Sequence, residues 1–267
     1  MELKTLAILG SSGFIGNRLC KDLSNEYKIV RLNRNLKLKK KLKINHLICC
    51  SGPNKFWCKK NEKKILRNSS NFAKKIINFC KENDIKNLIY CSSIQVLKKN
   101  NNYLMPYIKW HTNIEKYFYK AKIKKKIIRL PNLFGKPEKN RKDLWNFFVN
   151  SIVKFSYLKK NIKVKNKPNQ IIFAMPLNFF VKFLKKEINI KIINETKIIN
   201  LNKKFKFRTD DLITLIEKNL KRKNLVPKIL FENILQRKFV LKNIINKKEY
   251  LFFYEEMQSL IKFVKTK

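Results

Sequence analysis

Three glycines fall within seven residues near the start of the chain, in AILGSSGFIGNRL: Gly10, Gly13 and Gly16. LKTLAIL before them is a short apolar run of strand type, and Ile15, Leu19 and Leu23 after them recur at helical spacing. A strand, a glycine turn and a helix start together expose backbone N–H groups at a helix N-terminus, where pyrophosphate binds. A second group of interest is PYIKWHTNIE, Pro106 to Glu115, which sets Tyr107 four residues ahead of His111. A free phenol titrates near pH 10, and an unperturbed imidazole is mostly neutral at pH 7. This pair therefore carries no fixed charge unless its surroundings supply one.

The glycines gain weight from their scarcity. Average usage predicts roughly 19 in a chain this long, and there are 5: Gly10, Gly13, Gly16, Gly52 and Gly135. Compositional drift spares glycine where the backbone needs positive φ or where a Cβ would collide, so the survivors mark the tightest backbone positions. The strand after the glycine turn, YKIVRL, ends at Asn33-Arg34. An NAD-preferring site usually places a carboxylate here for the ribose hydroxyls. With no carboxylate present and Arg34 available for a 2′-phosphate, the expected cofactor is NADP(H) in preference to NAD(H).

The elements that position these residues alternate. INHLICCSG reads as a buried strand ending at Gly52. ILRNSSNFAKKIINFCKEN is an amphipathic helix with Ile65, Phe72, Ile76, Phe79 and Cys80 broadly on one side. NLIYCSS is a strand, TNIEKYFYKAK a helix, and KIIRLPNLFG a strand followed by a turn at Gly135. Alternation of this kind predicts an α/β fold with a Rossmann-type, doubly wound parallel sheet over residues 1–137.

Composition narrows the function classes. At 267 residues and 44% hydrophobic, the chain is long and apolar enough for a full globular core. The net charge of +45 would suit a nucleic-acid binder. However, the lysines are spread along the whole chain together with many Asn and Ile, which points to compositional drift. LKLKKKLK (36–43) and KIKKK (122–126) read as solvated loop and turn surface, and no specific nucleic-acid partner is expected. The charge does favour anionic ligands. IIFAMPLNFFVKFL is interrupted by Pro176, Asn178 and Lys182, so no membrane span is expected. MELKTLAILG lacks signal-peptide features, and a cytoplasmic location follows as an expectation. Cys20, Cys49, Cys50, Cys58, Cys80 and Cys91 form no C-x-x-C pair, and two histidines are too few for a zinc set. Free thiols and no metal are expected.

Five segments in order give the chain its resemblance: GSSGFIG (Gly10 to Gly16), HLICCSG (His46 to Gly52), IYCSSIQVL (Ile89 to Leu97), PYIKWHTNIE, and RLPNLFG (Arg129 to Gly135). Together they resemble the extended short-chain dehydrogenase/reductases, the NAD(P)-dependent sugar-nucleotide epimerase/dehydratase family. The likeness is specific over 1–137 and weak beyond, where it implies a small substrate lobe mainly from 138–267, with KIINL (197–201) looking like the late strand that rejoins the sheet. It implies that Ser93 hydrogen-bonds the reacting oxygen and that Tyr107 is the general acid/base. His111 stands where the family has a lysine that binds the nicotinamide ribose and supports the tyrosine. The cofactor would be held by Gly10, Ser12, Gly13, Phe14, Ile15, Gly16, Asn33, Arg34, Gly52 and Asn68, with Pro131 near the nicotinamide and Asn132 on the substrate side.

Departures refine the expectation. The dehydratase branch carries Asp-Glu after the Ser/Thr, and this chain has Ile94-Gln95, which argues against dehydration. The loop from Ser93 to Tyr107 is short for the family. The late R-x-F-x-x-V-x-D segment looks like QIIFAMPL, and RTDDLITLIEKNL looks like a late helix N-capped by Thr209 or Asp210. Without the lysine charge, Tyr107 serves better as an acid than as a base. The resemblance thus implies an NADP(H)-dependent reductase, or less readily an epimerase, acting on a keto or hydroxyl group of a nucleotide-linked sugar. The alternative is a catalytically weakened or inactive NADP-binding descendant with a scaffold or regulatory role. A homodimer is compatible with either.

Overall fold

The computed structural model describes residues 3–38, 42–98, 104–138, 145, 147–193, 195–201, 204–225, 228–231 and 246–266. The chain divides into two compact units, one of residues 1–130 with 184–201 and one of 131–183 with 202–267.

The first unit begins with β1 (Thr5–Leu9), α1 (Phe14–Asp22), β2 (Lys28–Leu32), β3 (His46–Cys49), α2 (Lys55–Lys60) and α3 (Ile65–Glu82). β4 (Asn87–Ser93), α4 (Met105–Lys120) and β5 (Lys124–Leu130) follow. The second unit holds β6 (Asn132–Phe134), α5 (Phe148–Tyr157), β7 (Asn161–Val164) and β8 (Ile171–Pro176). α6 (Leu177–Asn189) gives its first half to the second unit and its second half to the first. β9 (Thr196–Asn200) belongs to the first unit. β10 (Lys206–Arg208), α7 (Thr209–Lys221), β11 (Lys228–Phe231) and α8 (Lys247–Lys265) complete the second.

The main sheet has six strands in the order β2-β1-β3-β4-β5-β9, every neighbour parallel. The α/β, Rossmann-type expectation holds. The chain leaves β1 toward β2 on one side and returns to β3 on the other, which puts the switch point between β1 and β3. In such sheets, ligands bind beyond the carboxyl ends of the strands at that point. Parallel strands buried on both faces read as continuous apolar runs, and β1 is buried throughout. Ile65, Ala73, Ile76 and Phe79 of α3 pack with Ile114 and Phe118 of α4 over Leu47, Cys49, Leu88 and Tyr90.

Two expectations need correction here. Lys125 and Lys126 of KIKKK are not solvated surface: they lie in β5, 0% and 1% exposed. Burial is possible because each ammonium is given acceptors at the end of a helix. Lys125 Nζ donates to the carbonyls of Ala121 (2.5 Å) and Tyr119 (3.4 Å), at the end of α4. Lys126 Nζ donates to the carbonyls of Glu187 and Ile190, around the end of α6, and pairs with the Glu187 carboxylate at 3.1 Å. Cations at helix C-termini are favoured by the unsatisfied carbonyls and the helix dipole. Burial lowers the Lys125 pKa. In 36–43, Leu36, Leu38 and Leu42 pack against the core while Lys37 and Lys43 are exposed, and 39–41 lie outside the described residues.

The second correction concerns α7. Its N-cap is Arg208, and Thr209 is the first helical residue. Both the amide and the hydroxyl of Thr209 donate to the Gln170 carbonyl at 2.9 Å, which holds it on the segment before β8 instead of over the helix end. Elsewhere in the second unit, β10-β8-β6 form a three-stranded sheet and β11-β7 a two-stranded one. The buried Glu256 carboxylate accepts the amides of Lys136 (2.9 Å) and Asn178 (3.0 Å), fastening α8 to the turn after β6 and to the start of α6. Among the described residues, no helix is long and apolar enough to cross a membrane.

Candidate active site

The glycine turn joins β1 to α1 at the switch point. Gly10 has φ +87°, and a Cβ on it would stand 2.9 Å from the Ser51 amide nitrogen. The left-handed conformation and the close approach of the segment after β3 both demand glycine. A Cβ on Gly16 would lie 2.7 Å from the Gly10 carbonyl carbon and closer still to its oxygen. Gly13 is the N-cap of α1, and its amide donates to the Gly10 carbonyl at 2.9 Å. The Gly10 amide and the Ser11 hydroxyl both donate to the Leu32 carbonyl, tying the turn to the end of β2. Ser12 is exposed, Phe14 and Ile15 are half-buried, and the first turn of α1 holds no acidic residue. The positive end of this helix is therefore not neutralised from its own first turn, and the cradle suits a pyrophosphate.

Asn33 and Arg34 follow β2 and are exposed. The Asn33 side chain accepts the Asn35 amide at 3.0 Å and so forms a local turn. Sequence reasoning did not single out Arg31, whose Nη1 donates to Asn17 Oδ1 of α1 at 3.3 Å.

Helix α4 starts earlier than TNIEKYFYKAK suggested, at Met105, with Pro106 tolerated in its first turn. Tyr107 and His111 consequently lie one turn apart on one face. Their rings meet edge-on, 4.6 Å between centroids. The Tyr107 hydroxyl interacts with the Ser93 hydroxyl, at the end of β4, and Tyr107 is half-buried. Burial raises the Tyr107 pKa, and the Ser93 bond pulls it partly back. Ser93 Oγ also accepts the Gln95 amide at 3.3 Å, which starts the single 3-10 turn of residues 94–97. Residues 99–103 of the following loop lie outside the described residues.

His111 is 5% exposed, and its Nδ1 is 2.7 Å from the Tyr90 hydroxyl. Burial holds its pKa down at about 3, so the imidazole is neutral at neutral pH. Burial also pushes the Tyr90 phenol well above its ordinary value, so it too stays protonated. Tyr90, a fully buried residue within IYCSS, is a partner of this site that only its neighbourhood to His111 identifies.

A charged brace stands behind the pair. Glu115, two turns after Tyr107, accepts the Ser92 hydroxyl at 2.5 Å, Arg129 Nη2 at 2.6 Å and Arg129 Nε at 3.1 Å. It holds α4 against β4 and β5, and a bidentate arginine–carboxylate pair is a geometrically exacting clamp. Gly52 lies near the same helix: a Cβ on it would be 3.8 Å from Trp110 Nε1 and 3.9 Å from His111 Cε1. Trp110 packs on Phe72 and Trp57. Asn68 is half-buried in the first turn of α3. Pro131, buried, begins the second unit, and Asn132, exposed, opens β6. Ser93, Tyr107 and His111 thus form one cluster and Gly10, Gly13 and Gly16 a second, both built on the first unit.

No protein-family model matches the sequence, and neither does any curated protein. Solved structures do match along the whole chain. MoeE5 in complex with UDP-glucose and NAD superposes with a TM-score of 0.74 at 12% identity, covering 98% of this chain and 99% of that one. RMD from Pseudomonas aeruginosa complexed with NADPH gives 0.72 at 13%, covering 98% and 100%. UDP-N-acetylglucosamine 4-epimerase from Methanobrevibacter ruminantium M1, in complex with UDP-N-acetylmuramic acid, gives 0.70 at 16%, covering 100% and 99%. At these identities the likeness establishes a shared fold.

Proposed function

We propose that this protein is an NADP(H)-dependent oxidoreductase acting on a keto or hydroxyl group of a nucleotide-linked sugar, with reduction favoured over epimerisation. The observation that carries the reading is the Tyr107–Ser93 hydroxyl pair, backed by a buried, neutral His111. The glycine cradle fits a dinucleotide, because its two tightest glycines leave no room for a Cβ where the backbone must approach closely. The nicotinamide, when bound, supplies or accepts the hydride. Ser93 orients the substrate oxygen, and Tyr107 gives that oxygen its proton. A phenol whose pKa is raised is already in the acid form this step needs. Further support comes from similar folds that bind NAD or NADPH and nucleotide sugars. The second unit is assigned to substrate binding, with Asn132 as a contact.

The NADP(H) preference rests on Asn33-Arg34, where a ribose-binding carboxylate would otherwise stand. One charged contact to a 2′-phosphate is worth about 1.4 kcal/mol, or tenfold. Titration should give NADPH at least about tenfold tighter than NADH, with Arg34→Ala erasing most of the difference. Equal or tighter NADH binding would refute the preference.

His111→Lys separates the two directions of the reaction. A nearby ammonium should lower the Tyr107 pKa by about one unit, equivalent to about 1.4 kcal/mol. Oxidation or epimerisation, which needs the phenolate, should rise about tenfold, and reduction should stay within about twofold. The same change strips Tyr90 of its Nδ1 partner and buries a charge, so the melting temperature should drop. Rates in both directions, measured by nicotinamide absorbance on keto and hydroxy nucleotide sugars, check this. An equal effect on both directions would remove Tyr107 ionisation from the mechanism. The second reading, a cofactor-binding scaffold without turnover, draws on the same commitment of His111 to Tyr90; NADPH binding without hydride consumption on any keto nucleotide sugar would favour it.

A further inference from the structure

The structure places two cysteines side by side where no role above uses them. β3 and β4 run parallel in a register that pairs Cys49 with Tyr90. The next residues are Cys50, immediately after β3, and Cys91 in β4. Their Sγ atoms are 3.5 Å apart. Neighbouring strands stand about 4.8 Å apart, inside the span of Cα separations that a disulfide bridges. Bond formation therefore asks the sulfurs to close by about 1.5 Å, within reach of side-chain rotation. Cys50 is partly exposed, whereas Cys91 is 8% exposed. Both thiols are free in the structure.

We infer that Cys50 and Cys91 form a reversible dithiol–disulfide pair whose oxidant is a hydroperoxide. Cys50, the more exposed residue of the two, meets the oxidant. Its thiolate sulfur attacks the terminal peroxide oxygen, the O–O bond breaks, and the departing oxygen leaves as water or an alcohol after taking a proton. Cys50 is then a sulfenic acid. The Cys91 thiolate attacks the Cys50 sulfur, the S–O bond breaks, and hydroxide leaves to be protonated to water. Two thiols have been oxidised by two electrons and the peroxide reduced by two. The hydrogen bond with Cys91 and burial hold the Cys50 thiol well above its ordinary pKa. Since the thiolate is the nucleophile, the reaction should be slow at neutral pH and quicken as pH rises. Neither cofactor nor substrate enters this inference, so it stands apart from the proposed reaction.

The test uses the full-length reduced chain treated with excess hydrogen peroxide at pH 7 and at pH 8, quenched by thiol alkylation and read by intact mass and peptide mapping. The expected product is two hydrogens lighter, has lost two alkylatable thiols, and yields a peptide joining Cys50 to Cys91. Dithiothreitol should restore it, and its rate should be about tenfold higher at pH 8, following the thiolate fraction. Cys50→Ser and Cys91→Ser should each lose the cross-link, while Cys20→Ser should keep it. The unsubstituted protein's peptide map decides the matter even if a variant fails to fold. Oxidation of Cys50 to the sulfinic acid with no cross-link, dominance of any other cysteine pairing, or persistence of both free thiols would overturn the inference.

Discussion

Replacing Tyr107 with phenylalanine should lower turnover at least about a hundredfold while leaving NADPH affinity within about twofold. Only one oxygen is removed, and on the proposed mechanism that oxygen transfers the proton, a contribution of 10²–10⁴ in rate for a placed general acid. The ring keeps its place in the first turn of α4 and its edge-on contact with His111, so packing should survive. The pH dependence gives an independent readout. Burial, only partly offset by the Ser93 bond, raises the Tyr107 pKa above the ordinary value for a phenol. The acid form therefore dominates across neutral and mildly alkaline pH, and the reductive rate should be flat there, falling only as pH passes the raised pKa. The oxidative direction depends on the phenolate and should climb about tenfold per pH unit over the same range. Steady-state rates in both directions, with NADPH affinity from fluorescence titration, check both statements. Unchanged turnover in Tyr107→Phe would show that this hydroxyl does not act in the chemistry.

Gly16→Ala should destabilise the protein by about 3 kcal/mol or more and abolish NADPH binding. Overpacking of a rigid interior commonly costs about 1–3 kcal/mol, and here every atom the new Cβ meets is backbone. The new Cβ would press on the Gly10 carbonyl. Gly10 has little room to retreat: even a Cβ built on it would stand 2.9 Å from the Ser51 amide nitrogen and 3.0 Å from the Cys50 carbonyl carbon. Relief must come from lifting α1 off the turn, which displaces the very N–H groups that would face pyrophosphate. Gly52→Ala is the control. Its added Cβ would meet only side-chain atoms at 3.8 and 3.9 Å, ordinary contact distances, so stability should change by less than about 1 kcal/mol. Thermal unfolding and cofactor titration of both variants settle the comparison. If Gly16→Ala were as stable as Gly52→Ala, the close approach at the turn would be wrong.

Much of the fold was legible along the chain because its signals are local. The 3.6-residue repeat of Ile65, Ile76, Phe79 and Cys80 marks one face of α3, and the apolar runs of β1, β3 and β4 mark strands buried from both sides. Scarcity of glycine made Gly10 and Gly16 stand out, and the structure gives the physical cause: a left-handed residue and a missing Cβ in one turn. The frame PYIKWHTNIE marked Tyr107 and His111, and NLIYCSS ran to Ser93. What local pattern could not supply is any property that depends on a partner far along the chain. Lysine at 125 and 126 reads as surface by composition, and Lys126 is buried because the carbonyls of Glu187 and Ile190, more than sixty residues away, come to its ammonium. Thr209 resembles a helix cap until the Gln170 carbonyl takes both of its donors. His111 reads as a mostly neutral imidazole from its type alone, and the structure adds the reason it stays so, its burial and its Tyr90 partner. The amino-acid sequence alone marked the strand–helix alternation through residue 137, the place of the glycine turn and the candidate residues Ser93, Tyr107 and His111. Tertiary structure decided which side chains are charged, which are paired and which thiols face each other, because desolvation and hydrogen bonding depend on neighbours in space.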